Sequence, residues 1–188
     1  MNTIKKFGYK ILRKFGIVGK EYQLLPSNFP VANIKTTFNQ IGKLNPRVTH
    51  PTEYVVLGVL ASITKQNILE VGCYLGYSSC IMASAISSDR KIFSVDRFEI
   101  PKNWSKKTSD NWIFKNYSQI EWATKNRNAL GFESKITFVE SDSKSYAAEL
   151  RNMRDRPKFD LIFIDGDHSD EGCLSDMKDH MPMLEEGG

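Results

Sequence analysis

At 188 residues with 40% hydrophobic content, the chain has the size and apolar share of one ordinary domain with a core of its own. Its formal charge of +4 suggests an acidic partner at first sight, yet Lys5, Lys6, Lys10, Arg13, Lys14 and Lys20 all precede the first acid, so the remainder is close to neutral. Cys73, Cys80 and Cys173 lack CxxC spacing, which argues against a disulfide framework or a zinc knuckle, and no run approaches the roughly 18 apolar residues of a membrane span.

The opening segment MNTIKKFGYKILRKFG sets Ile4, Phe7, Ile11, Leu12 and Phe15 at helical spacing among basic residues, a basic amphipathic helix interrupted by Gly8. This arm is expected to pack on its own domain or on a second subunit, giving a homo-oligomer. The secondary expectation is peripheral contact with the inner face of an anionic membrane, which liposome co-sedimentation without binding would remove. The segment lacks the continuous apolar core of a signal peptide, so a cytoplasmic location is expected. From Glu21 to Pro51, the prolines Pro26, Pro30 and Pro46 punctuate a stretch expected to be a connection with little regular structure. Residues 1–45 are therefore assigned to arm and linker, and 46–188 to the principal domain. Behind Pro51, the run from Thr52 through Val59, Leu60 and Ile63 predicts a helix of about three turns.

From there the pattern alternates: strand NILEV, helix from Tyr77 to Ile86, strand KIFSV, helix around Ser118 to Leu130, strand KITFVE, helix near Ser145 to Met153, strand FDLIFID. Strands separated by helices predict an α/β fold, a Rossmann-like doubly wound parallel sheet. The apolar strands IFSV and LIFI suit positions buried on both faces. Between Phe98 and Tyr117 a longer connection carries Trp104, Trp112 and Phe114 with several lysines, and it reads either as a lid or substrate wall or as a surface packed on the arm. The basic residues cluster in one arm without an aromatic platform, so nucleic acid is not expected as a partner.

Chemistry gathers where strands end. In EVGCYLGYSS, Glu70 closes an apolar strand, Gly72 permits a sharp turn and close ligand approach, and Gly76 does the same at the helix entrance, where free N–H groups suit an amino-acid carboxylate. A dinucleotide site wants G-x-G-x-x-G, and bulky Cys73-Tyr74-Leu75 between these glycines would crowd a pyrophosphate, which disfavours a nicotinamide oxidoreductase. Asp96, about twenty residues further at the tip of the second strand, has the position of an acid that accepts from the ribose hydroxyls of an adenosine. Asp142 and Ser143 end the third strand where an adenine edge would lie. The fourth strand ends FIDGDHSDEG. Asp165 and Asp167 there have oxygens suited to Mg²⁺ or another hard cation, and His168 is suited to proton removal near neutral pH, whereas Asp170 and Glu171 read as solvated loop acids.

Taken in this order and spacing, ILEVGCYLGYSS, SVDRFE, ITFVESDS and FDLIFIDGDHSDEG resemble the class I S-adenosylmethionine-dependent O-methyltransferases of the catechol and caffeoyl-coenzyme A type, with the IDGDH form most similar to relatives that methylate sugars on macrolides. The resemblance covers roughly Pro46 to Gly188. It implies that Glu70, Gly72, Tyr74 and Ser78 line the methionine end of S-adenosylmethionine, that Asp96 holds the ribose, and that Ser143 meets the adenine amino group. It also implies Asp165 as the first metal-binding aspartate, with Mg²⁺ as the cation, and His168 where those enzymes place a lysine base. The implied activity is methyl transfer to a hydroxyl of a small polyhydroxylated or sugar-containing acceptor. Family members continue past the GG with a fifth strand that adds metal ligands. The sheet is therefore expected to be truncated after the fourth strand, the alternative being a cofactor-binding fragment without catalytic activity.

Overall fold

The structure is a computed structural model, and it describes residues 31–44, 51–99 and 116–188. The basic arm and the residues Trp104, Trp112 and Phe114 lie outside the described residues. Helices α1 (Val31–Leu44) and α2 (Pro51–Ile63) precede β1 (Asn67–Val71), and then α3 (Tyr77–Ala83), β2 (Ile92–Asp96), α4 (Gln119–Ala129), β3 (Ile136–Glu140), α5 (Ser143–Asn152), β4 (Phe159–Ile164) and α6 (Asp170–His180) alternate. A short 3₁₀ turn, Met181–Met183, follows.

All four strands are parallel in the order β3-β2-β1-β4, the doubly wound arrangement that the alternation predicts. Period-two alternation divides the strand side chains between two cores. Ile68, Ile92 and Ile136 face the layer that holds α2, α3 and α4. Leu69, Val71, Val95 and Phe159 face Tyr146, Ala147 and Leu150 of α5 and Met183 beyond α6. Helices thus cover both faces of the sheet.

One expectation needs correction. The stretch read as a connection with little regular structure holds the 14-residue helix α1. Ile34, Thr37 and Ile41 are buried at helical spacing, Ile34 and Ile41 belong to the α2–α3 core, and Phe38 packs edge-on against Tyr54 at 5.7 Å. A β-carbon on Gly58 would lie 2.5 Å from Ile34 Cδ1, so the missing side chain there gives Ile34 of α1 room against α2. The prolines flank this helix rather than interrupt it, which is why their density misled.

Element ends differ from expectation by a few residues where side chains cap them. Asp142 accepts from Ser145 N at 3.0 Å and starts α5 at Ser143, two residues early. Ser118 and Glu121 form a capping box that starts α4.

Candidate functional site

Because β1 pairs with β2 on one side and β4 on the other, the chain reverses direction across the sheet at the carboxyl end of β1. A crevice opens at such a point, and ligands of doubly wound sheets collect there. The turn that follows β1 is pinned from both neighbours: Gly72 N donates to Val95 O at 2.8 Å, and Asp165 N donates to Val71 O at 2.8 Å. Gly72 has φ of 85°, and a β-carbon there would sit 2.5 Å from Asp165 O and from Gly166 Cα. Only glycine meets both demands. Tyr74, at φ 50°, is a non-glycine residue held in the left-handed region within the same turn. A β-carbon on Gly76 would meet Phe138 Cζ at 2.8 Å.

Glu70 is fully buried, on the same face as Ile68. Its Oε2 accepts from the Ser79 hydroxyl and, at 2.6 Å, from the Ser94 hydroxyl, while Oε1 has no partner. Burial pushes this carboxyl up to about 7; the nearby hydroxyls of Ser78, Ser79 and Ser94 oppose the rise, and the charge on Asp165 adds to it. An orphaned carboxylate oxygen in a protein interior is costly unless a donor arrives. It sits two residues before the Gly72 turn.

Asp96 is spent mainly on the turn itself. Its Oδ2 accepts from Cys73 N at 2.9 Å and Tyr74 N at 2.8 Å, and its Oδ1 accepts from Phe98 N at 2.8 Å. A carboxylate has roughly four acceptor directions, so one remains on Oδ1. An open cleft of about 440 Å³ lies beyond, lined by Arg97, Glu99, Glu140, Ser141 and Asp142 at the ends of β2 and β3. Ser143, the next residue, donates its hydroxyl to Asp176 Oδ1 at 2.6 Å.

On the far side, Asp165 and His168 are exposed on the rim. Partial desolvation raises the Asp165 carboxyl, His168 pulls it down, and Glu53 at the start of α2 pushes it up, so these three groups share one local field. Asp167 does not join them: its Oδ1 accepts from Ser169 N at 2.8 Å, and that bond holds its carboxyl low. Asp170 and Glu171 lie in the first turn of α6. Among the described residues no three His, Cys, Asp or Glu side chains gather closely enough to hold a metal ion.

Sequence reasoning missed several supports. Ser79 and Ser94 hold Glu70, and the detectable signal was a polar Ser94 in an otherwise apolar strand, in register with Glu70. Asn126 of α4 is buried and donates from Nδ2 to Leu75 O at 3.0 Å, clamping the turn from across the layer. Glu53 and Asp176 carried no motif at all.

A family model described as a methyltransferase domain matches residues 69–188, which is most of the chain and the whole of this rim. The chain belongs to that methyltransferase family. No curated protein sequence matches it significantly. Among solved structures, the methyltransferase domain is similar to an O-methyltransferase from Bacillus cereus in complex with SAH, at 20% identity and TM-score 0.57, over 87% of this chain and 64% of that one. It is similar as well to the O-methyltransferase TomG from Streptomyces achromogenes, involved in tomaymycin synthesis and in complex with SAM, at 15% identity and TM-score 0.58, over 100% of this chain and 72% of that one. A protein from Staphylococcus aureus described as a candidate caffeoyl-CoA O-methyltransferase matches at 18% identity and TM-score 0.58, over 100% and 71%. At these identities the likeness is one of fold. The chain spans about two thirds of the length of these structures.

Proposed function

We propose that the domain binds S-adenosylmethionine in the crevice at the end of β1 and transfers its methyl group to a hydroxyl of a small polyhydroxylated or sugar-containing acceptor. The observation that carries this reading is the buried, unpartnered Oε1 of Glu70 beside a turn that only glycine can make. An α-ammonium group brings to that position a charged donor, which a neutral ligand does not.

When bound, S-adenosylmethionine supplies an electrophilic methyl on a sulfonium. Glu70 would hold the ammonium group, with Ser78 beside it and Gly72, Tyr74 and Gly76 shaping the turn around the methionine end. Asp96, with one acceptor direction left, would take a single ribose hydroxyl at Oδ1 while its other oxygen keeps the turn closed. Asp142 caps α5 through Oδ1 and, lining the cleft, would border the adenine with its other oxygen still able to accept. Ser143 would meet the adenine amino group. At the opposite rim His168 would take the proton of the acceptor hydroxyl, with Asp165 stabilising the imidazolium that forms. Asp165, with Glu53 nearby, would offer a cation such as Mg²⁺ at most two carboxylates, water completing its shell, and a cation held there would favour loss of the acceptor hydroxyl's proton.

Calorimetric titration of the purified protein with S-adenosylhomocysteine tests the reading. Micromolar binding is expected, and absence of heat at millimolar ligand overturns it. Binding without release of label from methyl-labelled cofactor, across a panel of polyhydroxylated acceptors with and without Mg²⁺, would instead select a cofactor-binding fragment. Residues 46–188 carry this proposal; because α1 contributes Ile34 and Ile41 to the core, expression should start no later than Val31.

A further inference from the structure

Asp176 belongs to none of the motifs, yet it is 6% exposed in the middle of α6 and reaches two parts of the rim. Its Oδ1 accepts from the Ser143 hydroxyl at 2.6 Å, and its Oδ2 lies 3.3 Å from where a β-carbon on Gly166 would stand. A buried carboxylate with a hydroxyl partner fixes that hydroxyl: the carboxylate can only accept, so the Ser143 proton must point at Asp176. Ser143 is then left with lone pairs alone to offer outward, at the first turn of α5 beside the cleft wall of Ser141 and Asp142.

We propose that Asp176 is a positioning residue that makes Ser143 an obligate acceptor, so that the cleft selects a purine bearing a 6-amino group over one bearing a 6-carbonyl. The proposal rests on the cofactor reading given above and deepens it. An amino group presents N–H to the Ser143 lone pair. A carbonyl presents a second acceptor to it, and because the hydroxyl cannot turn round while Asp176 holds its proton, two acceptors face each other. Free serine at this position would discriminate poorly, since a hydroxyl that rotates serves either base.

The test compares binding of S-adenosylhomocysteine with that of S-inosylhomocysteine, its 6-oxo analogue, by calorimetry. The unmodified protein is expected to prefer the adenosyl ligand by about 10-fold or more, the scale of one buried unpaired polar group. Asp176→Ala should bring the ratio to about 1 by releasing the hydroxyl, and Asp176→Asn, whose amide oxygen still accepts, should restore it. A purely structural role would weaken both ligands together and leave the ratio unchanged, which overturns the proposal. Should Asp176→Ala fail to fold, Ser143→Ala carries the test: its ratio is expected near 1, and an intact preference overturns the proposal. Failure of the unmodified protein to bind S-adenosylhomocysteine would instead refute the cofactor reading itself.

Discussion

Replacing Glu70 with glutamine is expected to make the ligand-free protein more stable at pH 8 while weakening its hold on S-adenosylhomocysteine. The carboxyl is fully buried and raised from an ordinary 4.5 to about 7 chiefly by desolvation. At roughly 1.4 kcal/mol for each tenfold change in proton affinity, that rise corresponds to about 3 kcal/mol. The sign follows from proton counting. Between about pH 4.5 and about pH 7 the folded protein keeps a proton that the unfolded chain releases, so stability falls as pH rises, and the penalty is complete above about pH 7. Glutamine does not ionise, and the hydroxyls of Ser79 and Ser94 can accept from its amide as readily as they donate to the carboxylate. Urea denaturation of both proteins at half-unit steps from pH 4.5 to 8.5 reads the effect. The stability difference between variant and parent should grow by up to about 3 kcal/mol across the lower part of this range and level off above about pH 7. A difference that does not change with pH would refute the assignment of Glu70 as a strained buried acid.

Further outcomes follow from the same geometry. Gly72→Ala places a β-carbon 2.5 Å from the backbone at Asp165 and Gly166 with φ at 85°, so it should cost more than about 2 kcal/mol in denaturant unfolding and abolish cofactor binding in calorimetry. Asn126→Ala leaves the Leu75 carbonyl without its buried donor, a loss of about 1–3 kcal/mol accompanied by weaker binding of S-adenosylhomocysteine. If His168 takes the acceptor's proton as proposed, His168→Ala should lower kcat by about 100-fold with the dissociation constant of S-adenosylhomocysteine unchanged, since the side chain is exposed on the rim; an unchanged kcat would exclude that role.

The sheet and its windings were legible because buried parallel strands leave apolar runs, and NILEV, IFSV, ITFVE and LIFI each become strands within a residue or so of expectation. The glycine turn was legible for a similar reason: its backbone requirement exceeds what side-chain variety can hide. Helix α1 was not, since a helix bracketed by prolines looks like a loop unless the spacing of Ile34, Thr37 and Ile41 is weighed against them. Nor was the double duty of Asp96 or the engagement of Asp142 and Ser143, because which carboxylate or hydroxyl is already occupied depends on neighbours in the turn after β1, in α5 and in α6. Sequence order announces which residues reach the rim. It does not announce which of their hydrogen-bonding directions remain open.

The two strands that pin the Gly72 turn reach it by very different routes. β2 follows β1 after a short helix, whereas β4 must return over a contour of about ninety residues, as the Asn67 Nδ2 to Lys158 O bond across 91 positions measures. Closing so long a loop is entropically slow, so β4 should dock after β1, β2 and β3 have assembled, and pulsed hydrogen exchange should protect Gly72 N before Asp165 N. On that order the crevice between β1 and β4 exists only once β4 has docked, so a ligand that binds there would favour that docking over the earlier pairing of β1, β2 and β3.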